Sequence, residues 1–265
     1  MSSGERALLS AVAGYSKLVV AFSGGVDSAL LAIAARKALG RDSVQAVTAD
    51  SASLATGEAD NCRDITQRWD IPWISVQTTE FDDERYLRND TDRCFWCKTA
   101  LMRAVEPIAR ASGATVALGV NVDDLGDHRP GQNAAAERGA VFPLVEAGLT
   151  KDDVRRIAKN WGIEVWDRPA MPCLSSRVPY GTGVTVELVS RIDRAEHALR
   201  SLGFNDVRVR HYQDTARIEV PVIDLAKAVE LSNRINSDVM AAGYRYVTLD
   251  LAGLRSGNLN HGITL

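Results

Sequence analysis

A hexapeptide between the first predicted strand and the first predicted helix has the residue types of a phosphate-binding loop. It reads Ser23-Gly24-Gly25-Val26-Asp27-Ser28. The two glycines permit backbone conformations that turn several N–H groups toward one point, and the next helix adds its own unpaired N–H groups. The serines can donate hydroxyl hydrogen bonds, and Asp27 can hold Mg²⁺ or orient the loop. Neither a Walker A ending nor a G-x-G-x-x-G spacing is present, so a different kind of phosphate cradle is predicted.

Three of the four cysteines stand where a thiol could react or bind a metal. Cys94 and Cys97 form a C-x-x-C pair at the start of a predicted helix, and Cys173 lies in an irregular segment close to Arg177. A C-x-x-C occurs in redox, zinc and iron–sulfur sites. Three thiols fit a [4Fe–4S] cluster with one iron left over, whereas three cysteines without a nearby histidine make a poorer structural zinc site. Cys62, within a predicted helix, is interpreted as a buried small apolar residue.

The elements that must position these residues alternate between strands and helices through about the first 165 residues. Such alternation predicts a parallel sheet covered on both faces, with ligands at the carboxyl ends of its strands. Asp50 and Ser51 follow the second strand, and Asp123, Asp124 and Asp127 follow the fourth. The predicted strands are 17–22, 43–48, 73–76, 115–120 and a candidate fifth at 164–166, and the helices are 26–39, 57–69, 94–111 and 150–161.

A different unit follows an interruption of this pattern. Residues 167–184 are rich in proline and glycine and are predicted to form a loop or linker. Beyond them the order helix, strand, strand, helix, strand suggests a small α+β unit with a mostly antiparallel sheet. We therefore expect a phosphate-loop domain at 1–166, an active-site loop at 167–184 and a substrate-binding or oligomerisation domain at 185–265. The predicted elements of that last unit are 186–202, 207–211, 217–220, 225–241 and 246–251.

Composition narrows the class of protein. The formal net charge of -3 gives no electrostatic reason to expect a nucleic-acid footprint. No apolar run approaches the roughly 18 residues of a membrane span, and the first residues do not have the pattern of a signal peptide. Four cysteines in 265 residues are too few for a disulfide scaffold. These observations predict a cytosolic enzyme without nucleic-acid or membrane partners.

The hexapeptide resembles the PP-loop of the ATP pyrophosphatases, which include GMP synthetase, NAD synthetase and several tRNA thiolation enzymes. The resemblance implies an adenine nucleotide α-hydrolase-like fold in which ATP adenylates a substrate oxygen, and the loop holds pyrophosphate with Mg²⁺. It also implies that the loop after the second strand meets the adenosine, which makes Asp50 and Ser51 candidates for that contact. A turn or helix-cap role for Asp50 is an equally weighted alternative.

Three further segments resemble the LarE-type sulfur transferases, which act in nickel-pincer nucleotide biosynthesis. They are Gly119–Gly131 (GVNVDDLGDHRPG), Pro172–Gly181 (PCLSSRVPYG) and Tyr246–Gly257 (YVTLDLAGLRSG). The family implies that ATP adenylates a carboxylate of pyridinium biscarboxylic acid mononucleotide and that sulfur then displaces AMP to leave a thiocarboxylate. Some members sacrifice the cysteine that matches Cys173, and others carry a C-x-x-C and look cluster-dependent. Because Cys94 and Cys97 are present, we favour the cluster type, with sulfide or another sulfur donor as partner.

The same resemblance extends to less specific positions. Ser176 and Arg177 accompany Cys173 as candidate catalytic residues. Asp124, with its neighbouring carboxylates, could position Mg²⁺ or the adenylate, and an ordinary polar turn has comparable weight. Arg208 and Arg210 alternate along a predicted strand, so that both face one side and suit a phosphate, although a solvated sheet face fits equally well. The family implies a homohexamer and a substrate nucleotide site that includes Glu196, Arg208, Arg210 and Glu219.

Other functions remain open at this point. A tRNA thiolation enzyme would use the same ATP chemistry but needs a basic RNA surface that the net charge does not supply. An amidotransferase-type synthetase lacks a visible ammonia-generating domain. A non-catalytic adenine-nucleotide sensor on the same fold would release no AMP or pyrophosphate. Within the sulfur transferases, the alternative to a cluster is the sacrifice of Cys173.

Overall fold

The computed structural model describes residues 1–126 and 130–255, and it divides the chain into two compact units. Asp127 and the end of the Tyr246–Gly257 segment lie outside the described residues. Both units are discontinuous in sequence, whereas the expected domains at 1–166 and 185–265 are continuous and stay a prediction. The first unit contains Met1–Ser51, Gly57–Glu80 and Cys94–Met171, and the second contains Ala52–Thr56, Phe81–Arg93 and the chain from Pro172 onward.

The first unit is built on a parallel sheet of four strands in the order β3-β2-β1-β4. The predicted parallel sheet is therefore confirmed. The chain order reverses between β1 and β4, and open α/β sheets bind ligands at the carboxyl ends of strands beside such a reversal. Its strands are β1 (Leu18–Ala21), β2 (Val44–Asp50), β3 (Trp73–Gln77) and β4 (Thr115–Leu118).

Residues 164–166 form a turn, so the candidate fifth strand is wrong. Val165 is apolar because it packs into the core, and the Trp166 N–H bonds back to the Ile163 carbonyl at 3.1 Å. Glu164 is exposed, Val165 is buried and Trp166 is half-buried, an alternation that a short strand would also show.

Helices surround this sheet. The central helix, α2, carries nine buried residues and is apolar nearly all round, because it is covered by other helices as well as by the sheet. Helix α8 begins with the predicted cap, since Thr150 and Asp153 form a capping box. Within the described residues the α-helices are α1 (Ser3–Ala13), α2 (Val26–Leu39), α3 (Glu58–Arg68), α4 (Glu84–Leu87), α5 (Arg93–Ser112), α6 (Pro130–Ala136), α7 (Pro143–Glu146), α8 (Lys151–Asn160), α9 (Val186–Ser201), α10 (Leu225–Glu230) and α11 (Ser232–Ala241).

The second unit contains a three-stranded sheet in the order β5-β6-β7. β5 (Arg208–Tyr212) and β6 (Thr215–Glu219) are antiparallel, but β6 and β7 (Tyr246–Leu249) are parallel. The expectation of a mostly antiparallel sheet is thus only half right, because α10 and α11 form a crossover connection, which parallel neighbours require. The predicted helix at 225–241 is broken at Leu231 into these two helices.

The predicted loop at 167–184 contains a short 3₁₀ turn at Leu174–Arg177. No helix in the described part of the chain combines the length and apolar character needed to cross a bilayer.

Candidate active site

The Ser23–Ser28 loop closes on itself through its two hydroxyl side chains. Ser23 N–H donates to Ser28 Oγ at 3.2 Å, and Ser28 Oγ donates to the Gly25 carbonyl at 3.0 Å. Gly25 is the N-cap of α2 and provides no side-chain cap, so the N–H groups of the first turn are available to an anion. Gly24 has φ 72°, and a β-carbon there would lie 2.9 Å from Cys62 Sγ. Both features match a phosphate cradle.

Asp27 is held from two sides within the first unit. Its Oδ1 accepts a hydrogen bond from Asn121 Nδ2 at 2.9 Å, and its Oδ2 forms an ion pair with Lys151 Nζ. The main-chain N–H of Lys151 donates to Asp123 Oδ2 at 2.8 Å, which fixes the start of α8 beside the loop. Sequence reasoning missed Lys151, although its position directly after the N-cap Thr150 was a usable signal.

Gly119 allows the end of β4 to pack directly against the phosphate loop. A β-carbon at this position would lie 2.7 Å from the Ser28 nitrogen and 2.8 Å from the Asp27 carbonyl carbon. Asp124 Oδ2 accepts a hydrogen bond from Asn121 N–H at 3.1 Å, so the predicted carboxylate shapes the turn that carries the Asp27 partner. The segment starting at Gly119 therefore has a packing role that the sequence alone did not reveal.

Asp50 and Ser51 lie at the carboxyl end of β2, next to the strand that leads into the phosphate loop. Asp50 accepts a hydrogen bond from the Gln77 side chain, and Ser51 Oγ donates to Glu80 Oε1. Glu80 is 2% exposed and was not recognised in the sequence. This edge is therefore polar and is built by the ends of β2 and β3.

The thiols of the first unit have contrasting surroundings. Cys94 is exposed and Cys97 half-buried at the start of α5, where Gly131 packs so closely that a β-carbon would lie 2.8 Å from the Cys94 carbonyl oxygen. Cys62 is completely buried, as predicted, and its burial raises the pKa of the thiol to about 11. Within residues 1–126 and 130–255, no three side chains from His, Cys, Asp and Glu form a group that could hold a metal ion.

In the second unit, Cys173 is the half-buried N-cap of the turn at Leu174–Arg177. Arg177, only 1% exposed, donates through Nη1 to the Pro172 carbonyl at 2.6 Å and to the Cys173 carbonyl at 3.3 Å. Its Nε and Nη2 donate to the two carboxylate oxygens of Glu196 at 2.8 and 3.0 Å. The guanidinium thus connects both sides of the Cys173 backbone to a buried carboxylate.

Two further buried arginines hold the same turn. Arg93 Nη1 donates to the Ser175 carbonyl, and Arg210 Nη1 donates to the Ser176 carbonyl, each at 2.8 Å. From the other side, the Ser175 hydroxyl lies 2.6 Å from Ser53 Oγ and 2.7 Å from the Tyr86 hydroxyl. The turn is consequently fixed by charge-assisted hydrogen bonds and a ring of buried hydroxyls.

The predicted substrate residues Glu196, Glu219, Arg210 and Arg208 differ in accessibility. Both glutamates are fully buried, and Glu219 pairs with Arg210 at 3.0 Å. Arg208 is partly exposed, and the pKa of its guanidinium is lowered by burial and then by the charges of Arg177 and Arg210. Crowded cations of this kind attract anions, and their role in substrate binding stays a prediction.

Comparison with known proteins identifies the family. The sequence profile of the NAD synthase family matches residues 8–86, which include the phosphate loop and β1 to β3. Pyridinium-3,5-bisthiocarboxylic acid mononucleotide synthase of Lactiplantibacillus plantarum is 37% identical over 268 residues, covering 100% of this chain and 96% of its own. The chain belongs to this family, the LarE-type sulfur transferases. The resemblance identified from the sequence is confirmed, and with it the use of ATP.

Two other proteins are also similar in sequence to this LarE-type transferase. An uncharacterised protein of Synechocystis sp. is 44% identical over 252 residues, covering 94% of this chain and 93% of its own. A more distant relative is a glutamine-hydrolysing GMP synthase chain of Methanothermobacter thermautotrophicus, 26% identical over 191 residues, which are 68% of this chain and 59% of the relative.

Proposed function

We propose that this protein adenylates a carboxylate of pyridinium-3,5-biscarboxylic acid mononucleotide with ATP and converts it to a thiocarboxylate. The observation that carries the proposal is the end-to-end similarity to a named synthase, together with the phosphate loop at the end of β1. In the first step a carboxylate oxygen attacks the α-phosphorus of ATP and pyrophosphate leaves. In the second step a sulfur nucleophile attacks the acyl carbon and AMP leaves.

The loop residues stabilise the leaving pyrophosphate in this proposal. The N–H groups at the start of α2 and the hydroxyl of Ser23 would direct hydrogen-bond donors at the developing negative charge, while Ser28, whose hydroxyl donates to the Gly25 carbonyl, would hold the loop in shape. Lys151 adds the cation that the loop itself lacks. Asp27 would hold Mg²⁺, which would offset phosphate charge, and the Lys151 ammonium group, now paired with Asp27 Oδ2, would then be available to a phosphate oxygen. Asp50, Ser51 and Asp124 would then contact the rest of the nucleotide.

The substrate phosphate is proposed to bind beside Arg208. This guanidinium is the partly exposed member of the predicted set, whereas Glu196, Arg210 and Glu219 are buried. Those three would act indirectly, because they hold the arginines and the backbone of the Cys173 turn in position. Ser176 and Arg177 are proposed to have the same positioning role.

A [4Fe–4S] cluster is proposed on Cys94, Cys97 and Cys173. The donor chemistry fits, since these three thiols are at least partly accessible, while the raised pKa of buried Cys62 keeps that thiol protonated. When bound, such a cluster would supply a renewable sulfur atom. In the alternative route Cys173 itself attacks the adenylate; loss of its α-proton and cleavage of its Cβ–Sγ bond then leave dehydroalanine.

Incubation with ATP, Mg²⁺ and the biscarboxylic acid mononucleotide tests the function. AMP and pyrophosphate should form only with the mononucleotide present, and mass spectrometry should show oxygen replaced by sulfur in the product. ATP hydrolysis at the same rate with and without the mononucleotide would contradict the proposal.

The source of sulfur needs separate measurements. Anaerobic reconstitution should give about four irons per chain, and Cys97→Ala should abolish iron binding. Iron-free protein that transfers sulfur once, with the mass loss of dehydroalanine formation at Cys173, would instead support the sacrificial route.

We also propose that the protein is cytosolic and forms a homohexamer. Light scattering of the purified protein would test the second.

A further inference from the structure

Glu80 has one buried carboxylate oxygen that is not satisfied by the protein. The side chain lies just beyond β3 in the first unit and is 2% exposed. Its Oε1 accepts a hydrogen bond from Ser51 Oγ. Its Oε2 is shielded from solvent and has no hydrogen-bond partner within residues 1–126 and 130–255. Such an oxygen is energetically unfavourable, because nearly all buried polar atoms in native proteins are hydrogen-bonded.

The position of this oxygen indicates what kind of group could satisfy it. Glu80 is linked through Ser51 to the carboxyl end of β2, and β2 pairs with β1, whose end carries the phosphate loop. The hydroxyl of Thr78, on the same edge, is likewise buried and unpartnered in the described chain. Both atoms lie at the carboxyl edge of the sheet that also carries the phosphate loop, and open parallel sheets bind ligands outside this edge. We therefore interpret them as part of a site for the remainder of the nucleotide.

The chemistry of the site selects the complementary group. A carboxylate oxygen only accepts hydrogen bonds, so its partner must be an N–H or O–H. Adenosine has such donors on its exocyclic 6-amino group and on its two ribose hydroxyls, whereas guanine has an oxygen acceptor in place of the 6-amino group. We propose that Glu80 Oε2 binds a nucleoside donor of ATP and thereby helps to select the nucleotide. This inference rests on the proposed ATP-dependent function and assigns a binding residue within it.

Nucleotide analogues test the inference on the full-length wild-type protein. Calorimetry would compare ATP with purine riboside triphosphate, 2′-deoxy-ATP and 3′-deoxy-ATP, each of which lacks one donor. One analogue should bind about ten- to a hundred-fold more weakly than ATP, because it leaves a charged acceptor unpaired. The analogue that binds more weakly identifies the donor that Glu80 accepts, either the 6-amino group of the base or one of the ribose hydroxyls.

Glu80→Gln completes a thermodynamic cycle. The variant should bind ATP more weakly, and it should bind the discriminating analogue with no further loss, since the two changes remove the same hydrogen bond. Glu84→Gln makes the same exchange at an exposed position nearby and should leave all affinities unchanged.

Three results would separate the possible failures. Equal binding of ATP and all three analogues to the wild type would overturn the inference, even if Glu80→Gln did not fold. A Glu80→Gln variant that weakens all four nucleotides equally would assign Glu80 a purely structural role and overturn it too. A wild-type protein that binds no ATP would contradict the proposed function itself.

Discussion

The phosphate loop and the Cys173 turn are both short segments with proposed roles in the reaction, yet they are held in opposite ways. The loop depends on the absence of side chains, since β-carbons at Gly24 and Gly119 would collide with atoms 2.9 and 2.7 Å away. The turn depends on large charged side chains, because buried arginines bind three successive stretches of its backbone.

The difference follows from the group that each segment presents to its ligand or substrate. A phosphate chain needs many main-chain N–H groups pointing outward, so the backbone behind them must be closely packed. A single thiol needs one fixed position, and the carbonyls around Cys173 are therefore free to accept hydrogen bonds from Arg93, Arg177 and Arg210. Backbone shape specifies the first segment, and electrostatics specifies the second.

Removing charge from the turn should have the largest effect on stability. Arg177→Met leaves the carboxylate of Glu196 buried without its main partner, so the free energy of unfolding should fall by about 3–5 kcal/mol in urea titrations. Arg200→Met removes another partner of Glu196, bound at 2.7 Å but 24% exposed, and should cost less than about 1 kcal/mol. Equal losses in the two variants would show that burial of the charge is not what matters.

Adding one carbon to the loop region should have the next largest effect. Gly119→Ala forces the end of β4 away from the backbone of Ser28 and should weaken ATP binding by about ten- to a hundred-fold, because overpacking typically costs about 1–3 kcal/mol. Gly183→Ala is the control, since the nearest atom to its new β-carbon is 3.5 Å away. Calorimetry would measure both; unchanged affinity in Gly119→Ala would contradict the backbone-shape argument.

Lys151 is the exception to this support by backbone packing, because it contacts the loop through an ion pair with Asp27. Lys151→Met should weaken pyrophosphate binding about ten-fold while adenosine binding stays the same, because only the anion loses a charge-assisted partner. The half-exposed pair with Asp27 should contribute little to folding. Lys159→Met, on the same helix, removes a cation that lies over Trp166 and should leave pyrophosphate binding intact. An equal loss for adenosine would indicate a general distortion of the site.

Cys62 allows a smaller test, because a neutral thiol rather than a charge supports the loop behind Gly24. Its pKa of about 11 in the folded protein exceeds the ordinary value of 9.0, so on raising the pH the unfolded chain loses this proton first. The associated stability is present below pH 9 and is lost as the pH rises toward 11. The unfolding free energy should therefore fall by about 1 kcal/mol more in the wild type than in Cys62→Ala between about pH 8.5 and 10. Parallel pH profiles would mean that Cys62 does not titrate differently in the two states.

Much of the first unit could be predicted from the sequence. The alternation of apolar runs and amphipathic stretches identifies β1 to β4 and their connecting helices, because those elements bury apolar side chains with regular periods. The loop at Ser23–Ser28 was equally readable, since its glycines and serines are adjacent in the chain. The error at 164–166 arose because a turn with one buried apolar residue between two more exposed ones gives the same short pattern as a strand.

The remaining parts of the site depend on contacts between distant residues. Lys151 and Asp27 are 124 positions apart, and Ser53 reaches Ser175 across 122. No local pattern encodes such pairs, and the buried environment of Glu80 has no sequence signature at all. The sequence identifies Arg210 as a phosphate-binding candidate and Arg177 as a catalytic candidate, but their burial with Glu219 and Glu196 is determined by tertiary packing alone.

The discontinuity of the two units has a consequence for biosynthesis. Tyr86 and Arg93 leave the ribosome 89 and 82 residues before Ser175, whose hydroxyl and carbonyl are among their hydrogen-bond partners. The early segments of the second unit therefore cannot form these contacts until the last third of the chain has been synthesised. A nascent chain that stops at Met171 would lack the Ser175 hydroxyl and carbonyl that bind these two side chains in the complete protein. The second unit is thus expected to mature only after translation is nearly complete, even though its first segments are made together with the nucleotide-binding half.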